Sequence, residues 1–395
     1  MTTPSSISDR TSKPLDGLCV LDFTRVLAGP YATALLADLG ADVVKVEPPA
    51  GDDYRHIAPF LADGSTAIFE ALNRGKRGVV LDLAKPDHRA IAVALAKSAD
   101  VVVENFRPGV ADRLGIGWGE LSDANPGLVY ASISGFGQDG PDAGRPAYDI
   151  IGQALSGIMH ITGDPAGPPT MIGESIADVV SGLFASWAIL AALHERERTG
   201  RGRHIDVAML DAMMALQPLT VARYLATGEV PMRVGNRHPL SAPFGAYRAS
   251  DRSFVVAVLN SKLFTTLAQT IGRPDMAEDA RFATDPLRLA HEAELRAAIE
   301  DWAASLTAAE AVARLQAAGV PAAQVGDTAS ALAAAEMRGR PQTQVVARTA
   351  DASFRVPEQP ARFVGAPRGG GRPAPRLGEH NAILSDPATA WRTRR

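Results

Sequence analysis

The sequence predicts a two-domain α/β protein, with a Rossmann-like large domain built on a mostly parallel sheet and a smaller α+β domain. Three observations predict it. The chain has 395 residues, too many for one ordinary domain and enough for two with sizeable cores. Through the first half, short β-rich runs alternate with segments of helical apolar spacing, the pattern of a doubly wound parallel sheet. After about residue 225 that alternation stops, and an antiparallel hairpin followed by successive helices takes its place.

The elements justify themselves in order. "LCVLD" (18–22) and "VVKV" (43–46) read as strands, and "PYATALLADLGA" between them has helical spacing ended by Gly40, which makes a β-α-β unit. "GVVLDL" (78–83), helical "HRAIAVALAKSA" (88–99), "DVVVENF" (100–106) and "LVYASISGFG" (128–137) continue the rhythm. A long apolar helix opens near Ser175, and "HIDVAMLDAMMALQ" reads as a strand running into a helix. In the second domain "SDR" is the turn before "SFVVAV", and three helical segments follow before "VPAAQV" (320–325). "DTASALAAAEMRGR" reads as a helix leading out, and "VGAPRGGGRPAPRLGEHN" has the composition of a linker. The boundaries are 1–225 for the first part of the large domain, 226–329 for the small domain and 330–395 for a segment returning to the large one.

Composition narrows the function classes. Apolar residues make up 46% and charged residues 21%, with a net charge of −4 and a pI near 6.1, so no field favours nucleic acid or an acidic membrane. The one cysteine, Cys19, sits in an apolar run and reads as a small buried hydrophobe; it excludes internal disulfides and a cysteine-built zinc site. The polar N-terminus lacks a secretory core segment, and the apolar stretch from Val179 to Leu193 is shorter than a bilayer requires. A cytoplasmic protein with no membrane partner is expected.

Most familiar site patterns are missing. The turn after the first strand, "TRVLAGPYA", has one glycine where a dinucleotide fingerprint needs three, and "NRGKRG" lacks the spacing of a phosphate loop. The eight histidines are scattered without metal-ligand spacing, and no nucleophile elbow is present, so neither a metal site nor a serine hydrolase is expected. What remains is "SGFGQDGPDAGRPAYD" at the end of a strand, where open α/β sheets bind ligands. There is also Asp178 in "SIADVV". Locally, Ser175 and Asp178 fit a capping box at a helix start. The same place would keep a half-buried carboxylate ionised and nucleophilic. Local sequence leaves both readings open.

Taken together, the segment 14–55 ("PLDGLCV…GDDYR"), "NRGKRGVVLDL", "DVVVENFRPGVADRLGIG", "LVYASISGFGQDGP", "YDIIGQALSG", "IADVVSGL…MLDA", "GNRHP" and "LGEHN" resemble the class III CoA-transferase family, the CaiB/BaiF group. Any one motif is weak; eight in order are specific. The resemblance implies an enzyme that moves CoA from an acyl-CoA donor, with succinyl-CoA a candidate, to a small carboxylic or dicarboxylic acid. CoA enters as substrate, and no tightly bound cofactor is implied. The family's reactive aspartate falls on Asp178, which would form a mixed anhydride and then an aspartyl-CoA thioester. CoA contacts carry over to Val26, Leu81, Asn105 and Arg113, with Gly135 and Gly137 amides as oxyanion donors. Tyr148 and Asp149 would line the acyl site, and Arg25, Arg237 and His238 are candidate binders of a distal carboxylate. Formyl-CoA:oxalate members carry glutamine where this chain has Leu27, which argues against oxalate/formate exchange. Racemases of the family carry histidine where this chain reads Tyr148-Asp149, which argues against proton exchange at an α-carbon. An acyl-CoA-binding protein in which Asp178 is only a cap is the non-enzymatic rival. The resemblance also implies an interlocked homodimer, with the tail strapped across the partner.

Overall fold

The computed structural model describes residues 13–349, 352–364 and 371–391. The chain divides into two compact units, one of Met1–Ile158, Met171–Gly228 and Arg340–Arg395, the other of Met159–Thr170 and Glu229–Gly339.

The first unit opens with β1 (Cys19–Asp22), α1 (Ala28–Asp38), β2 (Asp42–Glu47), α2 (Ala67–Asn73), β3 (Arg77–Val80), α3 (Pro86–Lys97) and β4 (Val101–Glu104). It continues with α4 (Val110–Arg113), α5 (Trp118–Ala124), β5 (Val129–Ser134), α6 (Asp149–Leu155) and the single turn α7 (Ile158–Ile161) at the junction. Then come α8 (Ile176–Thr199), β6 (His204–Ala208), α9 (Met209–Ala215) and α10 (Pro218–Thr227). The six strands form one parallel sheet in the order β3-β2-β1-β4-β5-β6. β1, β2, β4 and β5 are buried throughout, as parallel strands covered on both faces must be. One face packs Val20, Val43, Val103 and Ile133 under α1 and α8, and the other packs Leu21, Val44, Val102 and Tyr130 with Leu95 of α3 and Leu121 of α5.

Helix α8, with 24 residues and an 18-residue stretch of mean hydropathy 1.9, is long and apolar enough to cross a bilayer, which corrects the shorter span read from sequence. Here it lies on the sheet and against α1. A β-carbon on Gly182 would stand 2.6 Å from Ala28 O, so glycine sets that close approach. Cys19 is buried, as expected of a small hydrophobe.

The second unit holds β7 (Phe244–Arg248) and β8 (Ser253–Ala257), then α11 (Ser261–Thr270), α12 (Asp275–Glu278), α13 (Asp285–Ala290), α14 (Glu292–Ala303) and α15 (Ala308–Ala317), and ends with β9 (Ala322–Gln324) and α16 (Thr328–Met337). Its three strands pair antiparallel in the order β7-β8-β9, over a core that includes Tyr247, Phe254, Phe264, Ile299 and Leu315. Two boundaries differ from the sequence reading. Residues 159–170 join this unit because the Arg233 guanidinium donates to the carbonyls of His160 (2.8 Å), Gly167 (3.1 Å) and Asp164 (3.3 Å). Helix α16 stays with it rather than starting the return.

The returning segment forms a hairpin, β10 (Thr343–Thr349) with β11 (Ala352–Pro357), and residues 371–391 then run along the outer edge of β3. Gly78 N–H donates to His380 Nδ1 (3.2 Å), Val80 N–H to Asn381 Oδ1 (2.8 Å), and His380 N–H back to Gly78 O (2.9 Å). Arg77 donates to Ala390 O (2.7 Å), and Trp391 joins the core beside α3. The tail is therefore an ordered cover on its own sheet; its residues 365–370 lie outside the described ones.

Candidate active site

The sheet order reverses between β1 and β4, and the loops leaving their carboxyl ends meet there, at the crevice where doubly wound sheets bind ligands. Asn105 clasps Arg25 from both sides, accepting its N–H on Oδ1 (2.9 Å) and donating from Nδ2 to its carbonyl (2.8 Å). The next residue, Val26, has φ 67°, a left-handed backbone that a β-branched side chain adopts only under constraint. Its N–H donates to Asp52 Oδ1 (3.2 Å). The Arg25 side chain is exposed and makes no ion pair among the described residues.

Asp178 stands in the first turn of α8. The expected capping box does not form: Ser175 has φ −72° and ψ 62°, not the extended backbone that turns a capping hydroxyl onto the helix, and makes no side-chain cap bond. Asp149, the first residue of α6, takes that part instead, accepting the Ala177 N–H on Oδ1 (2.7 Å). Its Oδ2 accepts from Gln153 Nε2 (2.7 Å), so both oxygens are occupied. Gln153 also donates to Glu174 O (3.2 Å) and accepts the Ile172 N–H (2.9 Å), which fixes the strand of chain leading into α8. Asp149 is thus a helix cap, not an open substrate ligand.

The Asp178 carboxylate accepts no hydrogen bond among the described residues. Burial, and then the nearby Asp149 charge, push its pKa up to about 7. The expectation from sequence is that the helix start keeps it ionised; burial and the Asp149 charge instead hold its pKa near neutrality, where protonated and ionised forms coexist. Burial and the surrounding carboxylates, Asp178 foremost and then Asp52, Asp149 and Glu174, push the Tyr54 phenol up from its ordinary 10. Tyr54, Glu174, Asp52 and Gln153 were not singled out from sequence; Tyr54 and Asp52 lay unremarked in "GDDYR".

The remaining expected residues fall into two groups. Arg113 is exposed at the end of α4 on the β4 side of the crevice, and Tyr148 is 72% exposed beside Asp149. Others are already committed. Leu81 is 2% exposed in the core, and its N–H donates to Glu47 O (2.9 Å). Gly135 packs so closely that a β-carbon would meet that of Ala147 at 2.3 Å. Gly137, at φ 90°, donates its N–H to Ser134 Oγ (3.0 Å) and is not a free oxyanion donor. In the second unit Arg237 is paired with Glu292 (2.9 Å), and His238 stacks on Phe244 at 4.8 Å while its Nδ1 accepts the Leu240 N–H. Arg237 is thus committed to Glu292, whereas His238, with Nδ1 accepting, keeps its Nε2–H as a donor.

Comparison with known proteins adds three findings. The family profile described as CoA-transferase family III matches residues 15–381. The acetyl-CoA:oxalate CoA-transferase of Acetobacter aceti is 44% identical over 97% of each chain, and the succinyl-CoA:mesaconate CoA-transferase of Haloarcula hispanica is 42% identical over 95% of this chain and 96% of its own. The crystal structure of a CaiB/BaiF family protein from Brucella suis superposes with a TM-score of 0.85 at 38% identity, over 95% of this chain and 99% of that one.

Proposed function

The chain belongs to CoA-transferase family III, and we propose that Asp178 carries CoA covalently between an acyl-CoA donor and a small dicarboxylic acid. CoA transfer is the activity of the family; the acceptor class rests on the two relatives, whose named acceptors, oxalate and mesaconate, are both dicarboxylates.

One observation carries the choice of nucleophile. Of the carboxylates around the start of α8, Asp149 has both oxygens bonded, Glu174 accepts the Ser175 N–H (2.8 Å), and Asp178 accepts no hydrogen bond among the described residues. The ionised Asp178 carboxylate attacks the donor thioester carbonyl; the C–S bond breaks, giving a mixed anhydride and CoA thiolate. The thiolate attacks the aspartyl carbonyl, the anhydride C–O bond breaks, and the donor acid leaves as its carboxylate. The acceptor carboxylate then attacks the aspartyl thioester and expels the thiolate. The thiolate takes the acceptor's acyl carbonyl from the second anhydride and restores Asp178. Bond types are exchanged and none is hydrolysed, so the sequence needs no ATP. The protonated Tyr54 phenol, beside these carboxylates, is the donor we assign to the developing oxyanions.

Arg25, exposed and unpaired among the described residues, is the better binder of the acceptor's distal carboxylate now that Arg237 is committed. Leu183, Trp187 and Leu190 form an exposed apolar stripe on α8 (45%, 67% and 37% exposed), which supports a homodimer in which a second copy covers it. We place the protein in the cytoplasm, where its one buried thiol stays reduced.

Trapping tests the mechanism. Incubation with succinyl- or acetyl-CoA followed by hydroxylamine gives a hydroxamate on the peptide containing Asp178, read by mass. Transfer without any modification of that peptide refutes the covalent route.

A further inference from the structure

Beneath the loop after β1 runs a buried ionic chain that takes no part in the reaction above. Lys45, 0% exposed, donates from Nζ to Thr24 O (2.7 Å) and to Asp52 Oδ2 (2.9 Å). Asp52 turns its other oxygen, Oδ1, to two amides at once, those of Val26 (3.2 Å) and Tyr54 (3.0 Å). Its own N–H donates to Glu47 Oε2 (3.0 Å), and Glu47 is held by a paired bond from Arg55 (2.7 and 2.6 Å). A buried ion pair adds little net stability, because desolvation cancels most of the attraction. The left-handed backbone at Val26 is a second cost in the same loop. Both costs fall on one spot, the loop that faces the crevice.

We infer that Asp52 is a positioning residue, with Lys45 as its buried counter-ion: by gripping the Val26 and Tyr54 amides with one carboxylate oxygen, it fixes the loop after β1 in the shape that receives CoA. Neither residue touches substrate. The inference rests on the reading that this loop meets CoA, but not on Asp178 being the nucleophile.

The test uses the full chain as wild type, Asp52→Ala and the neutral pair Lys45→Met/Asp52→Asn, with the calorimetric Kd for coenzyme A, steady-state KM for the acyl-CoA donor, and melting temperature. Asp52→Ala removes both grips, and the Kd and KM rise at least about tenfold, more than kcat falls. The neutral pair keeps an amide oxygen on both N–H groups and stays within about threefold of wild type, since neutral replacement of a buried pair is tolerated. A merely structural pair would shift melting alone. Folded Asp52→Ala with wild-type Kd and KM overturns the inference, as does a neutral pair that binds CoA as weakly as Asp52→Ala. If Asp52→Ala does not fold, the apolar pair Lys45→Met/Asp52→Leu takes its place: it also lacks the accepting oxygen, so its Kd and KM rise about tenfold, and wild-type values in it overturn the inference. Failure of the covalent route shows separately, as wild type that binds CoA without an Asp178 adduct.

Discussion

Replacing Asp178 by asparagine should make the protein more stable and inactive at once. Folding raises the Asp178 pKa from the ordinary 3.8 to about 7, chiefly by burial. Between those values the folded chain holds a proton that the unfolded chain has released. The cost of ionising Asp178 in the fold therefore grows with pH through that window and levels off above about 7. A shift of about three units at ~1.4 kcal/mol each makes that cost about 4 kcal/mol near pH 8, and close to zero near pH 3. Asparagine has nearly the same shape and never ionises. Loss of a carboxylate from the first turn of α8 works the other way, but only by about 0.3–1 kcal/mol. Asp178→Asn should then melt roughly 5–10 °C above wild type near pH 8, with the two curves converging by about pH 3–4. CoA transfer should vanish at every pH. Scanning calorimetry across that range is the assay. Equal melting temperatures near pH 8 would refute the claim that the fold holds this carboxylate in a protonating environment. In wild type, kcat/KM should climb about tenfold per pH unit below about 7, following the ionised fraction.

Three more outcomes follow from the same geometry. Asp149→Asn keeps an acceptor for the Ala177 N–H but removes the charge beside Asp178, so the midpoint of the pH–rate curve should move to lower pH; Asp149→Ala should also cost about 1 kcal/mol of stability through the lost cap. Arg25→Gln should raise the KM for a dicarboxylic acceptor about tenfold or more while leaving the calorimetric Kd for CoA within about twofold; an unchanged acceptor KM rules Arg25 out. Trp187→Glu, in the exposed stripe of α8, should convert dimer to monomer in sedimentation experiments, and an unaltered sedimentation coefficient would place the interface elsewhere.

The sheet was legible because its strands are buried on both faces and therefore read as unbroken runs such as "LCVLD" and "DVVVE". Asp178 was legible as a candidate, but not its surroundings. The cap on α8 comes from Asp149, 28 residues before Ala177, and no local pattern announces it. Ser175 looked like a cap because it has the right side chain; its backbone is wrong for the task. Arg237 and Gly137 looked available because sequence shows a donor and never its partner, here Glu292 and Ser134. Tyr54 is inconspicuous in sequence for the opposite reason: what sets it apart is which carboxylates surround it. The excursion of residues 159–170 into the second unit depends on one arginine fork that spacing cannot reveal.

The cover on β3 sets an order of events in synthesis. His380 lies 302 residues downstream of Gly78, whose backbone it pairs with, so a nascent chain carries an open sheet edge until His380 itself has left the ribosome. At about 5–20 residues per second that exposure lasts roughly 15–60 s. An unpaired edge is a template for another strand, and neighbouring chains on one messenger present the same edge together. The second unit, continuous apart from residues 159–170, is finished before the first can close. Correct maturation therefore depends on keeping that edge unoccupied until its own C-terminal segment arrives.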